Sequence, residues 1–216
     1  HEGFHPFQCD LSTPKGVDDL FAFALKTLGC IDIFVANAGF AYYEKLGDAD
    51  WEHISSIYNL NFKSVVYSAQ KMKQLYGNKP YNFAVVSSGM AILSLPGYAL
   101  YSSTKAALKS FAEAYRWELE KDQYFQVVYP IATRTCFFKN AGNSPMPWPS
   151  QDTVVVAQRI LKGIRKNCNS IYPSKLFYII ALLNRIFPVI FKIYAYAEFK
   201  KFENWLNNRK QDNSQF

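Results

Sequence analysis

Cysteine is scarce in this sequence, and glycosylation motifs and internal repeats are absent. The 216 residues contain four cysteines at irregular positions, which argues against a disulfide framework and gives no zinc-ligand spacing. No basic segment followed by an apolar run resembles a signal peptide in this chain. These features predict a reducing, cytoplasmic environment and no metal site.

Charge is also sparse, and it is unevenly distributed. Charged residues make up 19% of the chain and hydrophobic residues 50%, a composition that excludes disorder and a coiled coil. Residues 1–158 hold 13 basic and 14 acidic side chains, whereas residues 159–216 hold 11 and 3. The net charge of +7 therefore arises in the last quarter, which argues against a nucleic-acid-binding surface on the main fold.

Short apolar runs alternate with segments of helical periodicity. The runs predict strands at Ile31–Val35, Phe83–Ser87 and Gln126–Tyr129, with a possible strand end at Phe7–Cys9. The periodic segments predict helices at Val17–Leu28, Asp50–Leu75, Ser102–Lys121 and Thr153–Lys166. Apolar strands separated by helices indicate an α/β fold with a doubly wound parallel sheet.

The segment from Tyr101 to Lys105 carries the first chemical signal. On a helix, these two side chains lie one turn apart on the same face. A nearby ammonium lowers the pKa of a phenol, and such a phenol can exchange a proton with a carbonyl or alcohol oxygen near neutral pH. The alternative is a purely structural pair, because Tyr-x-x-x-Lys spacing is common in helices.

Polar residues follow the predicted strands on either side of this segment. They are Asn37-Ala38-Gly39, Ser88, and Pro130 with Thr135. Because the carboxyl ends of parallel strands meet at one edge of a sheet, we expect these residues at a common rim. Asn61 lies in the helix between two of the strands. Taken singly, Ser88 also suits a turn cap, and Asn61 suits a structural polar position within a helix.

Together these motifs resemble those of the short-chain dehydrogenase/reductase family over roughly residues 7–135. The matching segments are Cys9-Asp10-Leu11-Ser12, Asn37-Ala38-Gly39, Asn61-Phe62-Lys63-Ser64, Ser88, Tyr101 with Lys105, and Pro130 to Thr135. The resemblance implies a Rossmann-type domain that binds NADP or NAD, with NADP placed first, and pairs into a homo-dimer or tetramer.

The resemblance also implies a role for each matching residue. Tyr101 would be the general acid and base, and Lys105 would lower its pKa and bind the nicotinamide ribose. Ser88 would hold the substrate oxygen, and Asn61 would anchor a water that links Lys105 to solvent. The implied cofactor-binding residues are Asp10 at the adenine, Asn37, Ala38, Gly39, Tyr101, Lys105, Pro130, and Thr135 at the carboxamide.

Two departures from the family pattern concern the cofactor. Ile131 and Ser64 each stand where the family has glycine. No Gly-x-x-x-Gly-x-Gly motif precedes Asp10, although the family begins with two strand–helix units that hold the pyrophosphate. We therefore expect the functional protein to include those units and this chain to be N-terminally incomplete. Without them, Ile31–Val35 would form a bare sheet edge.

Two segments near the C-terminus carry information on the substrate and on the surroundings of the protein. The resemblance implies that the segment between Cys136 and Ser150 covers the substrate. Its aromatic and apolar residues favour an apolar substrate, and they suit a loop packed on its own core equally well. We divide the chain into a Rossmann-type domain, residues 1–173, and a basic, apolar helical extension, residues 174–216. The apolar runs of the extension are too short to span a bilayer and suit a membrane interface or a packed helical hairpin.

These observations predict an NAD(P)-dependent oxidoreductase that interconverts a carbonyl and an alcohol on an apolar or lipid-like substrate, at the surface of a membrane. Two alternatives remain open at this point. One is a degenerate binding or scaffold protein without cofactor, for which the missing glycine motif is the only support. The other is a soluble reductase of small carbonyls, whose C-terminal segment only builds a dimer.

Overall fold

The centre of the molecule is a parallel sheet flanked by helices. The structure, a computed structural model, describes residues 3–213. Its strands are β1 (Ile33–Ala36), β2 (Tyr81–Val86), β3 (Gln123–Val128), β4 (Ala132–Thr133), β5 (Ser150–Gln151) and β6 (Ser170–Ile171). Its α-helices are α1 (Pro14–Leu28), α2 (Trp51–Tyr58), α3 (Ser64–Tyr76), α4 (Ala99–Tyr115), α5 (Phe137–Asn140), α6 (Thr153–Arg165), α7 (Lys175–Asn184) and α8 (Val189–Asn213). The main sheet has the order β1-β2-β3-β6, and β4 pairs with β5 separately.

Neighbouring side chains of the central strands enter cores on opposite faces of the sheet, as the strand geometry requires. Phe83 and Val85 join the larger core with residues of α1, α3 and α4. Ala84 and Val128 pack against Ile164 of α6 on the other face. Helices therefore cover both faces, which confirms the doubly wound, Rossmann-type α/β class. A row of stacked rings with centroids 4.9 to 5.2 Å apart crosses the larger core: Phe21, Phe34, Phe83 and Phe125.

One predicted element is absent, and the bounds of a predicted helix differ from those of α4. Phe7–Cys9 is not a strand; the Phe7 ring stacks on Phe23 of α1 with centroids 4.5 Å apart. α4 occupies Ala99–Tyr115 instead of Ser102–Lys121. After Tyr115 the chain continues in a 3₁₀ turn, Arg116–Glu118, and then reverses at Asp122, whose φ is +65°, to enter β3. The earlier start of α4 places Tyr101 inside the first turn of the helix.

β1 lies at the edge of the main sheet within the described residues, where it pairs with β2 alone. Its Phe34 side chain packs against the larger core. Ile33 and Val35 point the other way and are 51% and 45% exposed. The strand thus has an unpaired edge and an apolar face that is half open to solvent.

The C-terminal helices pack onto the main domain. Phe202 and Trp205 of α8 place their rings 5.0 and 4.7 Å from the Tyr43 ring, in one apolar cluster with Tyr98 and Tyr101. Within residues 3–213, no helix has the length and apolar character needed to cross a bilayer. Residues 1–2 and 214–216, which belong to the predicted domain and extension, lie outside the described residues.

Candidate active site

The first two turns of α4 carry the two residues singled out by their spacing. Tyr101 and Lys105 are 6% and 4% exposed, and the Lys105 Nζ lies 5.6 Å from the centroid of the Tyr101 ring. Lys105 Nζ donates a hydrogen bond of 2.9 Å to the carbonyl of Val86, the last residue of β2. The position of the ammonium is thus set by α4, which carries Lys105, and by the carbonyl at the end of β2 that accepts its hydrogen bond.

Burial dominates the protonation of both groups. It lowers the pKa of Lys105 to about 8, because the ammonium is withdrawn from water. It raises the pKa of Tyr101 to about 12, and the neighbouring Ser88 hydroxyl offsets only part of this effect. We expected Lys105 to lower the pKa of Tyr101, and the surroundings in this structure have the opposite net effect. Tyr101 is therefore a protonated phenol at neutral pH.

Asn61 is fully buried in a short π-helical segment, Asn59–Lys63, between α2 and α3. Its side-chain amide forms two hydrogen bonds with the backbone of Phe40. Oδ1 accepts from the Phe40 N–H at 3.1 Å, and Nδ2 donates to the Phe40 carbonyl at 2.8 Å. Nδ2 also donates to the Thr104 hydroxyl at 3.2 Å. Asn61 therefore ties the segment after β1 to α4. Sequence periodicity indicated one continuous helix and missed the π turn, a feature common at functional sites.

Ser88 follows β2 and caps a single 3₁₀ turn, where its hydroxyl accepts from the Met90 N–H at 3.0 Å. It opens onto a cavity of about 600 Å³. The predicted site residues that line this cavity are Asn37, Gly39, Ser88, Tyr101, Lys105, Pro130 and Thr135. Asn61 does not line the cavity itself, but its side chain packs against Gly39, which does. Ala38 and Asp10 are not among the lining residues. Most of the residues predicted at the strand ends therefore lie together in the wall of this one cavity.

The other walls of the cavity are mostly apolar. The segment after Thr135 contributes Phe137, Phe138 and Trp148. α7 contributes Phe177, Ile180 and Leu183, a wall that the sequence analysis did not identify because the run is apolar on every side. Tyr194 of α8 donates a hydrogen bond of 2.8 Å to the Trp148 carbonyl and so links the loop to the C-terminal helices.

The rim fits the nicotinamide half of a dinucleotide cofactor. An ammonium has three donors, and among the described residues Lys105 uses one, on Val86. A Cβ at position 39 would lie 3.4 Å from Lys105 Nζ and 3.0 Å from Asn61 Oδ1, so glycine keeps space free beside the ammonium. Ribose hydroxyls match the remaining donors in chemistry.

Asp10 lies apart from this rim. Its carboxylate accepts hydrogen bonds from the backbone and hydroxyl of Ser12, at 2.9 and 2.7 Å, in the exposed turn that leads into α1. These bonds lower the pKa of Asp10. Its contact with an adenine remains a prediction. Within residues 3–213, no cluster of three or more His, Cys, Asp and Glu side chains is arranged to hold a metal ion.

The parallel sheet covered by helices on both faces, with the cavity at its strand ends, defines an α/β protein of the Rossmann type. Comparison with known proteins identifies the family. The family profile described as short chain dehydrogenase matches residues 1–145. The chain therefore belongs to the short-chain dehydrogenase/reductase family of oxidoreductases.

Two oxidoreductases illustrate the relatives that the chain resembles in sequence. Human epidermal retinol dehydrogenase 2 is 24% identical over 191 residues, which cover 86% of this chain and 62% of the relative. The 3-ketodihydrosphingosine reductase of Bos taurus is 30% identical over 165 residues, which cover 71% of this chain and 50% of the relative. The chain thus spans between half and two thirds of the length of these relatives.

Solved structures share the fold. A short-chain dehydrogenase/reductase from Burkholderia phymatum in complex with NAD has a TM-score of 0.73 at 17% identity, over 83% of this chain and 74% of that one. A short-chain dehydrogenase from Sphingobium yanoikuyae in complex with NADPH has a TM-score of 0.69 at 20% identity, over 85% and 73%. Neighbours in fold therefore bind either nicotinamide cofactor.

Proposed function

We propose that the protein is an NAD(P)-dependent oxidoreductase that interconverts a carbonyl and an alcohol on an apolar, lipid-like substrate. The observation that carries the proposal is one cavity with Ser88, Tyr101 and Lys105 on one wall and apolar side chains on the others. Such a cavity desolvates an apolar molecule and leaves a few polar groups to fix its reacting oxygen.

Tyr101 exchanges a proton with the substrate oxygen. Its phenol is protonated at neutral pH, which is the form that donates a proton to a carbonyl oxygen as the carbonyl carbon is reduced. Ser88 holds the same oxygen by a hydrogen bond. When bound, the nicotinamide cofactor supplies or accepts the hydride. The Lys105 ammonium stabilises the negative charge that develops on the Tyr101 oxygen when its proton leaves.

The remaining residues hold the cofactor and the proton path. Lys105 binds the ribose hydroxyls through its spare donors, and Asn61 anchors the water that replenishes its protons. Thr135 and Pro130 contact the carboxamide end, and Asn37, Ala38 and Gly39 border the ribose. Asp10 contacts the adenine in the functional protein. We propose NADP rather than NAD as the preferred cofactor. The fluorescence titration described below measures the affinity of the chain for each.

The names of the relatives support the class of substrate. One is called a retinol dehydrogenase and the other a 3-ketodihydrosphingosine reductase. Retinol carries an alcohol and 3-ketodihydrosphingosine a ketone, each on a long hydrocarbon skeleton, and a largely apolar cavity of this size suits such a skeleton.

Titration of the 216-residue chain with NADPH and NADH, followed by nicotinamide fluorescence, tests the proposal. Saturable binding of one cofactor supports it and selects that cofactor. If no binding occurs, the same titration is repeated with a glycine-rich strand–helix segment added to the N-terminus. Failure of both titrations would favour a cofactor-free scaffold protein over an oxidoreductase.

The proposal places the cavity at a membrane surface. α7 lines the cavity with Phe177 and Ile180, and it exposes Leu176, Ile179 and Leu182 to the outside. The apolar surface continues past α7, where Ile186 and Ile193 are each 68% exposed. Basic side chains accompany it: Lys175, Arg185, Lys192 and Lys200. Exposed apolar side chains among basic ones suit the interface of a bilayer that contains anionic lipid.

We expect the chain to co-sediment with vesicles of phosphatidylcholine and phosphatidylserine, more strongly at low salt. The double substitution Ile186→Glu and Ile193→Glu should weaken this binding roughly tenfold or more, because it removes two apolar anchors and adds two negative charges. Trp51→Glu and Trp117→Glu are the controls, since these side chains are exposed on other helical segments. Absence of binding at low salt would exclude the membrane surface. The proposal also includes a homo-dimer or tetramer, and sedimentation velocity of the chain measures its oligomeric state.

A further inference from the structure

The mouth of the cavity is marked by large apolar side chains that line it and are also exposed to solvent. Trp148 is 74% exposed, Phe187 59% and Leu183 46%, and all three belong to the cavity wall. Trp148 lies in the segment between α5 and β5, whereas Leu183 and Phe187 lie at the end of α7 and just beyond it. An apolar molecule therefore enters the cavity between this segment and the C-terminal helices.

The segment that carries Trp148 is tied to the C-terminal helices by a hydrogen bond. Pro145 and Pro147 have no N–H to donate. Counting partners among residues 3–213, residues 145–148 make one hydrogen bond, which the Trp148 carbonyl accepts from the Tyr194 hydroxyl at 2.8 Å. The residues before them are held separately, because the hydroxyl of Ser144 accepts a hydrogen bond from α4. Tyr194 therefore supplies the polar contact that places Trp148 at the mouth.

Tyr194 lies on a helix that is packed firmly on the main domain. Further along α8, the rings of Phe202 and Trp205 lie 5.0 and 4.7 Å from the Tyr43 ring. Tyr194 is half-buried against the same apolar cluster and also lines the cavity. Breaking its hydrogen bond would therefore release the segment with Trp148 and leave the helix in place.

We propose that Tyr194 is a positioning residue that holds Trp148 across the mouth of the cavity and so sets the rate at which an apolar substrate enters and leaves. This inference rests on the proposed function and concerns access to the same site. The Tyr194 hydroxyl bonds to the chain itself and not to the substrate. Its loss should therefore change entry and exit by the same factor and leave the affinity nearly unchanged.

The test is stopped-flow binding of prodan, without cofactor or turnover. Prodan is a dimethylamino-naphthyl ethyl ketone whose fluorescence shifts to the blue in apolar surroundings. Tyr194→Phe keeps the ring in the cavity wall and removes only the hydroxyl. We expect this variant to bind and release prodan about threefold to tenfold faster than the parent chain, the effect of one hydrogen bond on the position of Trp148. The dissociation constant should stay within about twofold.

Two controls accompany this measurement. An excess of an unsubstituted ten-carbon methyl ketone displaces prodan from the cavity, and the signal that it does not displace is subtracted as surface binding. Tyr196→Phe makes the same change on α8 at a side chain that is 61% exposed and outside the described cavity lining. Its two rate constants should equal those of the parent chain. If Tyr194→Phe does not fold, Tyr194→Leu takes its place and should also raise both rate constants.

Four results would overturn the inference. Unchanged rate constants in Tyr194→Phe, or equal increases in Tyr194→Phe and Tyr196→Phe, would reject the positioning role and leave the proposed function standing. Faster dissociation with an unchanged association rate would make Tyr194 part of the binding surface instead. No displaceable binding of prodan to the parent chain would reject the inference together with the proposed substrate class. The cofactor titration described above would still report on the oxidoreductase proposal by itself.

Discussion

Replacing Tyr101 with phenylalanine is expected to lower kcat by a factor on the order of 10² to 10⁴, the contribution typical of a general acid. The ring packs between Tyr98 and Phe137, with centroids 6.2 and 5.4 Å away, and phenylalanine preserves these contacts. Only the hydroxyl that meets the substrate oxygen is lost. Cofactor affinity should therefore stay within about twofold, because the substitution leaves the donors of Lys105 in place.

The measurement is steady-state reduction of an apolar ketone with the preferred cofactor, together with a cofactor titration of the same variant. Tyr98→Phe is the matched control. It removes a buried hydroxyl one turn away, which donates to Ser144 at 2.8 Å and does not line the cavity. Its kcat should change little. Full turnover by Tyr101→Phe would overturn the mechanism, and equal losses in the two variants would indicate damage to the fold instead.

Local periodicity was enough to predict where the two α4 residues and the strand-end residues meet. Tyr101 and Lys105 lie one turn apart whether the helix begins at Ala99 or at Ser102, so the error of three residues in that start did not affect the prediction. Ser88 and Gly39 were predicted at the rim because a parallel sheet collects strand ends at one edge. In the structure, Gly39, Ser88, Tyr101 and Lys105 line one cavity, as this rule predicts.

Features that depend on tertiary contacts were not predictable in the same way. The π segment around Asn61 is an extra residue in one turn and leaves no trace in the spacing of apolar residues. The apolar α7 indicated a membrane interface, whereas in the structure one side of it also forms the cavity wall. The pKa of Tyr101 was predicted from its charged neighbour alone, and the degree of burial that reverses the shift is a property of the whole fold.

Substitution of Lys105 by methionine should affect both catalysis and stability, in opposite directions. Turnover should fall about 100-fold or more, and unlike Tyr101→Phe this variant should also lose cofactor affinity, because the donors beside Gly39 disappear. Stability at neutral pH should rise, because the parent chain bears the cost of a buried ammonium whose pKa is lowered to about 8.

The pH dependence of unfolding separates this effect from a change in packing. Below about pH 8, Lys105 is protonated in both the folded and unfolded states, and the folded state bears the full cost. Between pH 8 and the unfolded pKa of 10.5, the folded state releases its proton first, so the stability of the parent chain rises with pH. The gain from about pH 7 to about pH 9.5 is roughly 2 kcal/mol on the scale of one pKa unit.

The quantity to measure is the free energy of unfolding of the parent chain minus that of Lys105→Met, by urea denaturation at these two pH values. Cysteines and other titrating groups are common to both proteins and cancel in this difference. Staying below pH 10 avoids the buried tyrosines, whose raised pKa values make stability fall as the pH rises further. A difference that does not change with pH would mean that folding leaves the pKa of Lys105 unchanged. The proposed cost of the buried ammonium, and the gain in stability expected from Lys105→Met, would then be wrong.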